Sequence, residues 1–444
     1  LKNSSVSSWF SNLKLRASYG MMGDDNLGGL YPDFAYLSGY TYYKGQSLMP
    51  DDPFSSVKSK KVIGSAPKGI PVTTISWMKI KLMNVGIDFG FFDNRLTGEF
   101  DLFKRMRDGI PGTPSDIMFP LETGLSALPE NMNSDMTVGF DAFVKWNDKV
   151  GDLKYSVGAN ITFARQKNGK RHGEIFGNAW DKYRWAQSNR WSNVVLNTDQ
   201  GNAGGVWMWE VIGRFETQEQ IDSYPVDQDG QNNATVRPGD VILRDVNGDG
   251  IINDFDERPQ AYASADWPWD SSTSNKNPLI SMGINLGFEW KGVDVAADFA
   301  GGFKNTFVAD WDLKWGVTRS VNGYYYNNID VWRHEDIFDP KSPWIPGKFP
   351  ALRGQESHSG RWWNSFYTRE VNYLRLRNLV VGYSLPKNWI RKVGMEQCRI
   401  YFQGTNLFCL SSLHDYGFDP EISTVNGQDY PQHKVLTLGV NVKF

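Results

Sequence analysis

An acidic, glycine-containing run between residues 245 and 256 carries the side chains best suited to chemistry in this sequence. Its oxygen-bearing residues have the spacing of a calcium-binding loop, in which about six to eight hard oxygen ligands surround the ion. Gly250 stands where such a loop must turn sharply. The predicted ligands are Asp245, Asn247, Asp249, Ile251 through its backbone carbonyl, Asn253 and Asp256.

The last position of this loop departs from the usual pattern. Asp256 stands where a longer glutamate normally binds the ion through both oxygens, and Glu257 is the alternative ligand. The same run also fits an acidic turn, built on its Asn-Gly and Asp-Gly pairs, that holds no metal. Because the run lies in a long predicted connection, a bound calcium ion would stiffen that connection and take no part in catalysis.

Catalytic groupings are not predicted from the remaining polar residues. The five histidines show no metal-ligand spacing, and chain order alone supports no grouping of serine, histidine and aspartate. We therefore predict no catalytic residue and no enzyme activity. The sequence also leaves the substrate-binding residues undetermined.

Tryptophan is the second feature with chemical meaning. Indole rings stack on the faces of sugars and also make rigid anchors at protein interfaces. The alternative is that long connections need small cores of their own, which would account for more than half of these residues. The tryptophans in predicted connections are Trp180, Trp185, Trp191, Trp207, Trp209, Trp267, Trp269, Trp311, Trp315, Trp332, Trp344, Trp362 and Trp363.

Apolar and polar residues alternate with a period of two along much of the chain. Ile280, Met282 and Ile284, for example, alternate with Ser281 and Gly283. This period indicates β-strands with two different faces. Ten strands are predicted at 11–20, 75–90, 94–106, 134–147, 152–165, 277–290, 292–303, 371–385, 397–408 and 434–444. In the 371–385 segment Asn378 interrupts the alternation, which predicts a β-bulge.

The predicted connections alternate between short and long. The short ones are 91–94, 147–151, 291–292 and 386–396, and the long ones are 21–74, 107–133, 166–276, 304–370 and 409–433. Transmembrane β-barrels have short periplasmic turns and long extracellular loops. Aromatic residues near the predicted short turns fit an interfacial girdle, although aromatics could also close a soluble core. They are Phe91, Phe92, Trp146, Trp290 and Trp389.

Composition is compatible with this prediction. The 444 residues are 40% hydrophobic, mean hydropathy is −0.47, and no run approaches the roughly 20 apolar residues of a spanning helix. A transmembrane β-barrel also lacks such a run, since only alternate residues of its strands face lipid. A net charge of −3 argues against nucleic-acid binding. By strand parity the lumen-facing charged residues are Glu99, Asp101, Asp294, Asp298 and Arg375.

Six stretches, in order along the chain, resemble the C-terminal half of SusC/RagA-type TonB-dependent transporters. They are Leu13–Gly20 (LKLRASYG), Asn84–Gly98 (NVGIDFGFFDNRLTG), Gly239–Gly250 (GDVILRDVNGDG), Tyr373–Pro386 (YLRLRNLVVGYSLP), Arg399–Phe408 (RIYFQGTNLF) and Tyr416–Glu421 (YGFDPE). Each stretch is weakly specific alone, and together they are highly specific. The resemblance implies an all-β, antiparallel transmembrane barrel of 22 strands, of which residues 1–444 supply about the last ten.

The resemblance also implies a function in the outer membrane. It implies a multi-pass protein in contact with membrane lipid that takes up oligosaccharides or oligopeptides. A SusD-like lipoprotein would form the lid, and the TonB–ExbB–ExbD complex would act through a plug domain and TonB box expected outside this sequence. The alternatives are a passive porin or adhesin-like barrel, and a soluble glycan-binding β-protein. The sequence does not decide between glycan and peptide.

Overall fold

The fold is almost entirely β-structure. The computed structural model describes residues 10–25, 36–43, 64–67, 70–74, 76–112, 114, 120, 127–169, 179–180, 183, 206–261, 278–308, 330–351, 364–414, 418–421 and 432–444. Two short α-helices, Gln218–Asp222 and Lys387–Ile390, and 3-10 turns at Asp254–Asp256, Ser365–Tyr367 and Arg391–Val393 are described. No helix among the described residues is long and apolar enough to cross a membrane.

The described strands run along the whole chain. The first ten are β1 Phe10–Asp24, β2 Tyr40–Tyr43, β3 Gly64–Pro67, β4 Met78–Phe91, β5 Leu96–Gly112, β6 Glu130–Val150, β7 Leu153–Asn168, β8 Val206–Met208, β9 Val211–Arg214 and β10 Val241–Leu243. The others are β11 Arg258–Ala261, β12 Ile280–Trp290, β13 Val293–Val308, β14 Arg333–His334, β15 Trp344–Ile345, β16 Thr368–Ser384, β17 Gln397–Thr405, β18 Cys409–Ser411 and β19 Val435–Lys443.

One antiparallel sheet dominates the molecule. Its strands follow the order β1, β4, β5, β6, β7, β12, β13, β16, β17 and β19, and the short β18 also pairs with β16. Each of these ten strands overlaps one of the ten predicted segments, so their number and positions are confirmed. In this order every strand pairs with the next long strand along the chain, and within the described residues β1 and β19 remain the two edges.

Turn chemistry explains why the strands reverse where they do. Lys291 and Gly292, between β12 and β13, both have positive φ angles, 47° and 88°. A two-residue turn of this kind matches the twist of the strands it joins. Phe92, Asp93 and Asn94 likewise adopt positive φ between β4 and β5. These tight connections all lie at the same ends of the strands, here called the short-turn end. The opposite ends of the strands form the long-connection end.

The predicted bulge lies in β16. Asn378 pairs with Asp298 of β13, whereas the next pair joins Leu376 to Phe299, so Arg377 is the extra residue. The bulge turns both Arg377 and Asn378 away from the apolar side of the sheet, which explains why the alternation fails at that point.

The two faces of the sheet differ sharply in polarity. One lateral row across six strands is entirely apolar or aromatic: Tyr155, Phe288, Val295, Val381, Phe402 and Leu438. Many side chains of this apolar face are open to the surroundings, including Leu438 at 77% exposure. The opposite, polar face carries all five charged residues that parity assigned to the lumen. A soluble sheet would bury such an apolar face, whereas no described residue covers it here.

Aromatic rings gather at the short-turn end as predicted. Phe92 and Trp146 lie with ring centroids 6.0 Å apart, and Phe91 and Phe92 lie 6.4 Å apart. Trp290 and Trp389 are exposed at the same end, and the ammonium group of Lys291 lies 5.2 Å from a Trp290 ring centroid. Amphipathic rings in such a belt suit the boundary between lipid and water.

Candidate functional site

The predicted calcium loop is a compact turn held by its own backbone amides. The carboxylate of Asp245 accepts hydrogen bonds from the amides of Gly248 (2.6 Å) and Gly250 (2.8 Å). Asp249 accepts from the amide of Ile251 (2.9 Å), and this bond, the largest contribution, lowers the pKa of the Asp249 carboxyl. Gly248 and Gly250 have positive φ angles, which glycine adopts without strain.

Asp256, at the end of the loop, is completely buried. Its carboxylate accepts hydrogen bonds from the amides of Val246 (3.0 Å) and Asn253 (2.9 Å), while the Asn253 side chain caps the following 3-10 turn. An aspartate suits this position because its short side chain reaches amides on both sides of the loop. Asp256 therefore closes the loop in this conformation, a role that the sequence comparison with calcium loops did not reveal.

The fit of the loop to a calcium ion is partial. Among the described residues, no group of three or more His, Cys, Asp and Glu side chains is arranged to hold a metal. The carboxylates of Asp245 and Asp249 point into the loop, and each has lone pairs left after its amide hydrogen bonds. Calcium binding stays a prediction, with Asn247, Asn253, Asp256 and the Ile251 carbonyl as the other predicted ligands.

A second acidic turn, which the sequence analysis missed, lies against the first. The amide of Asp227 donates to the Gly250 carbonyl and the amide of Ile252 donates to the Asp227 carbonyl, both at 2.9 Å. Asp229 completes the turn by accepting from the amides of Gln231, Asn233 and Thr235 and from the Thr235 hydroxyl, at 2.7–2.9 Å. The Asp-Gln-Asp-Gly run is a recognisable turn signal that could have predicted it.

Replacing Asp229 with alanine is expected to destabilise this turn by about 1–3 kcal/mol, because several amides lose their charged acceptor. Partial burial raises the pKa of Asp229, but the hydrogen bonds from Thr235 and Gln231 outweigh it and lower the pKa to about 2. The stabilisation is thus fully present above the unfolded-state pKa of about 3.9 and is lost as pH falls toward 2. Hydrogen exchange of residues 227–236 at pH 7 and pH 3 measures both the destabilisation by the substitution and the loss of stability at low pH. Equal protection in the variant and the wild type at pH 7 would contradict the first, and equal protection of the wild type at both pH values would contradict the second.

The two acidic turns belong to a loop segment with its own hydrophobic cores. Trp209, Val241, Leu243 and Ile252 form one buried cluster, and Phe215, Ile221, Val236 and Ile242 form the other. Strands β9 and β10 pair with each other, so their alternate residues reach both clusters. Residues 206–261 therefore have a fixed shape although they lie inside the longest connection of the sheet.

The connection between β13 and β16 packs onto this segment. Trp332, 6% exposed, lies against Gly239, where any Cβ atom would overlap the indole ring. Gly239 has a φ of 91°, so glycine is needed there for conformation as well as for space. Arg214 donates to the carbonyl of Gly347 at 2.9 Å, and Arg214 also bonds the Lys348 carbonyl.

The same contact continues down to the sheet. The amide of Ser365 donates to the Trp209 carbonyl and the amide of Val211 donates to the Ser365 hydroxyl, both at 2.9 Å. Residues 206–261, 330–351 and 364–367 thus form a single folded body, here called the loop unit. It is continuous with the first residue of β16, Thr368, at the long-connection end.

The structure decides the role of some of the tryptophans. Trp209 and Trp332 are buried in the loop unit, as expected for residues that close local cores. Trp344 is half-buried and packs on His334, and Trp180 packs on Tyr183 with ring centroids 5.2 Å apart. Strand β8 includes Trp207. The predictions for Trp185, Trp191, Trp267, Trp269, Trp311, Trp315, Trp362 and Trp363 lie outside the described residues.

Ion pairs bridge neighbouring strands on the polar face. Arg16 lies between Asp88 and Asp101, 2.8 Å from a carboxylate oxygen of each. Arg399 pairs with Asp294 across Gly382, whose lack of a side chain leaves room for the guanidinium group. These pairs form a charged wall in which an arginine reaches carboxylates one or two strands away.

The fold and its two faces define a class of protein: an antiparallel β-barrel wall with one uncovered apolar face, one charged face and large ordered loops at one end. No protein-family model matches the chain. The chain is 22% identical to TonB-dependent receptor P39 of Formosa agariphila, over 97% of this chain and 40% of the relative. It is 22% identical to TonB-dependent receptor SusC of Bacteroides thetaiotaomicron, over 98% of this chain and 38% of the relative.

Solved structures agree with these relatives. The RagAB peptide importer in its open-open state is similar with a TM-score of 0.63, 20% identity and coverage of 99% of this chain and 41% of the other. Its closed-closed state gives a TM-score of 0.61 with 98% and 41% coverage. The predicted resemblance to SusC/RagA-type TonB-dependent transporters is confirmed: the chain corresponds to a part of such a barrel. It spans about two fifths of the length of these relatives.

Proposed function

We propose that this chain forms the wall and outer loops of a TonB-dependent transporter that takes up large nutrients across the outer membrane. The observation that carries the proposal is the ten-strand antiparallel sheet with an uncovered apolar face, on a chain whose relatives are named as TonB-dependent receptors. The apolar face meets lipid, and the polar face lines the lumen. The short-turn end is periplasmic, and the loop unit is extracellular.

The chain's own part in transport is physical and includes no covalent step. The charged polar face lines the passage, and the loop unit stands beside the extracellular mouth. Energy comes from the TonB–ExbB–ExbD complex, acting on a plug domain supplied by another part of the protein. A SusD-like lipoprotein covers the mouth. These partners follow from the family resemblance.

The substrate is an oligosaccharide or an oligopeptide. The solved relative RagAB is named as a peptide importer, whereas the many tryptophans of the long connections would suit glycans. Both classes are therefore offered to the cells.

Uptake by the full-length protein in its own outer membrane tests the proposal. Cells are offered a panel of labelled oligosaccharides and oligopeptides, with and without collapse of the proton-motive force. The proposal predicts saturable uptake of one class that stops when the force collapses. Uptake that continues unchanged would identify a passive porin instead, and recovery of the protein in the aqueous fraction without detergent would overturn the barrel assignment.

Calcium is proposed as a structural ion of the loop at Asp245–Asp256. Adding calcium to the detergent-purified full-length protein is expected to slow hydrogen exchange in residues 245–257, and a chelator is expected to reverse the effect. An Asp249→Ala variant removes one oxygen ligand and should lose the response, whereas Asp229→Ala, in the neighbouring turn, should keep it. Unchanged exchange of the wild-type loop at millimolar calcium would show that the run is a metal-free acidic turn.

A further inference from the structure

The last long connection, between β17 and β19, includes β18, which pairs with β16, and three further described points whose side chains contact the polar face of the sheet. Asn406 stands where the chain leaves β17, Asp419 and Glu421 lie in its middle, and Gln432 lies just before β19. Side chains at all three points contact Arg375 or Arg377 of β16. The two family-like stretches YLRLRN and DPE are thus parts of one cluster.

Arg375 is the centre of this cluster. It is only 4% exposed and lies on the polar face, opposite Ala300 of β13. Its Nη2 atom lies 2.5 Å from Asp419 Oδ1, and its Nε atom lies 3.1 Å from Glu421 Oε2. The two carboxylate side chains are 12% and 9% exposed. A guanidinium buried in this way needs its counter-charges, because removing one partner leaves an uncompensated buried charge.

Arg377 joins the two ends of the connection to its middle. Its Nη2 atom lies 2.6 Å from Glu421 Oε1, and its Nη1 atom donates to Gln432 Oε1 at 3.2 Å. Gln432 in turn donates to Glu421 at 2.9 Å. The bulge of β16 also frees the Arg377 carbonyl, which accepts a hydrogen bond from the amide of Asn406 at 3.0 Å.

We propose that Arg375 and Arg377 are positioning residues that hold residues 418–421 and Gln432 of the last long connection inward against the lumen wall, where they form a fixed part of the ligand path. The proposal rests on the proposed function, which makes the polar face the lumen. The direction of folding follows from the side of the sheet on which the arginines stand. The fixed position follows from the buried charges, since the connection cannot leave the wall without separating them.

Protease added to intact cells tests this position. The full-length protein is used, and cleavage sites are mapped by mass spectrometry. In the wild type, residues 418–421 should resist proteinase K, which is too large to enter the lumen. In an Arg375→Met/Arg377→Met variant the same residues should be cut at least about tenfold faster, because cleavage follows the population of the released form.

Three further variants distinguish loss of the contacts of Arg375 and Arg377 from a general destabilisation of the barrel. Arg399→Met removes another guanidinium with an ion pair on the polar face, near the short-turn end, and should leave residues 418–421 resistant. Glu421→Gln weakens the cluster from the loop side without touching a strand, so it should raise cleavage even if the double arginine variant fails to assemble. Arg375→Lys/Arg377→Met keeps the charge at residue 375 and should restore part of the protection that the Arg375→Met/Arg377→Met variant loses.

Two outcomes would overturn the proposal while leaving the proposed function intact: wild-type cleavage within 418–421 as fast as in the double variant, or unchanged resistance in both Glu421→Gln and the double variant. Absence of the wild-type protein from the outer membrane would overturn the proposed function itself, and the inward position would fall with it.

Discussion

Replacing Trp332 with alanine is expected to detach residues 330–351 of the loop unit from residues 206–261. The indole is 6% exposed and fills the space left by Gly239, which lies within residues 206–261. Removing a buried tryptophan side chain costs about 3–5 kcal/mol, because the apolar contacts are lost and a cavity remains. Hydrogen exchange of the full-length protein in detergent should show faster exchange in both 206–261 and 330–351, while the strands of the sheet keep their protection.

Trp332→Phe is the matched control. The Trp332 indole N–H is buried and has no hydrogen-bond partner among the described residues. Phenylalanine keeps an aromatic ring against Gly239 and removes that unsatisfied donor, which offsets part of the lost contact area. This variant should stay close to the wild type. Equal protection in the alanine variant and the wild type would show that Trp332 does not join the two segments. Equal loss in both variants would show that a phenyl ring against Gly239 does not replace the indole.

The sheet could be predicted from sequence because its signals are local. Strands such as β12 alternate strictly, and in the Lys291–Gly292 turn Gly292 is the residue type that a positive φ favours. Alternation assigned the charged residues to the correct face for the same reason. Where the alternation failed, at Asn378, the structure has a bulge. The predicted ends of the strands differ most on the side of the long connections, where several strands continue beyond the expected residues.

The loop unit and the arginine cluster could not be predicted in the same way. The strands of the loop unit are two to four residues long, too short to show a period. Trp332 and Gly239 meet although they belong to different connections, and the partner of Arg375, Asp419, is 44 residues away. One sequence carries no signal for such pairings, although the stretches around Arg375 and Asp419 were recognised separately. The acidic loop was located correctly, but the burial of Asp256 was not foreseen.

The proposed transporter requires one face of the sheet to meet lipid and the other to line a lumen. Leu286 and Asn285, neighbours in the middle of β12, test this directly because they lie on opposite faces. Leu286 pairs with Val157 and Ala297 on the apolar face, whereas Asn285 donates to Asp298 at 2.7 Å on the polar face. An arginine at Asn285 would find the Asp298 carboxylate beside it.

The decisive measurement is the stability of the full-length barrel in lipid bilayers after the same substitution at these two positions. Leu286→Arg should destabilise the folded barrel by about 2–4 kcal/mol, the cost of arginine near the bilayer midplane. Asn285→Arg should stay near the wild type. A barrel wall with Leu286 facing lipid predicts this difference in stability between the two variants. Equal effects of the two substitutions, or a greater loss for Asn285→Arg, would contradict it.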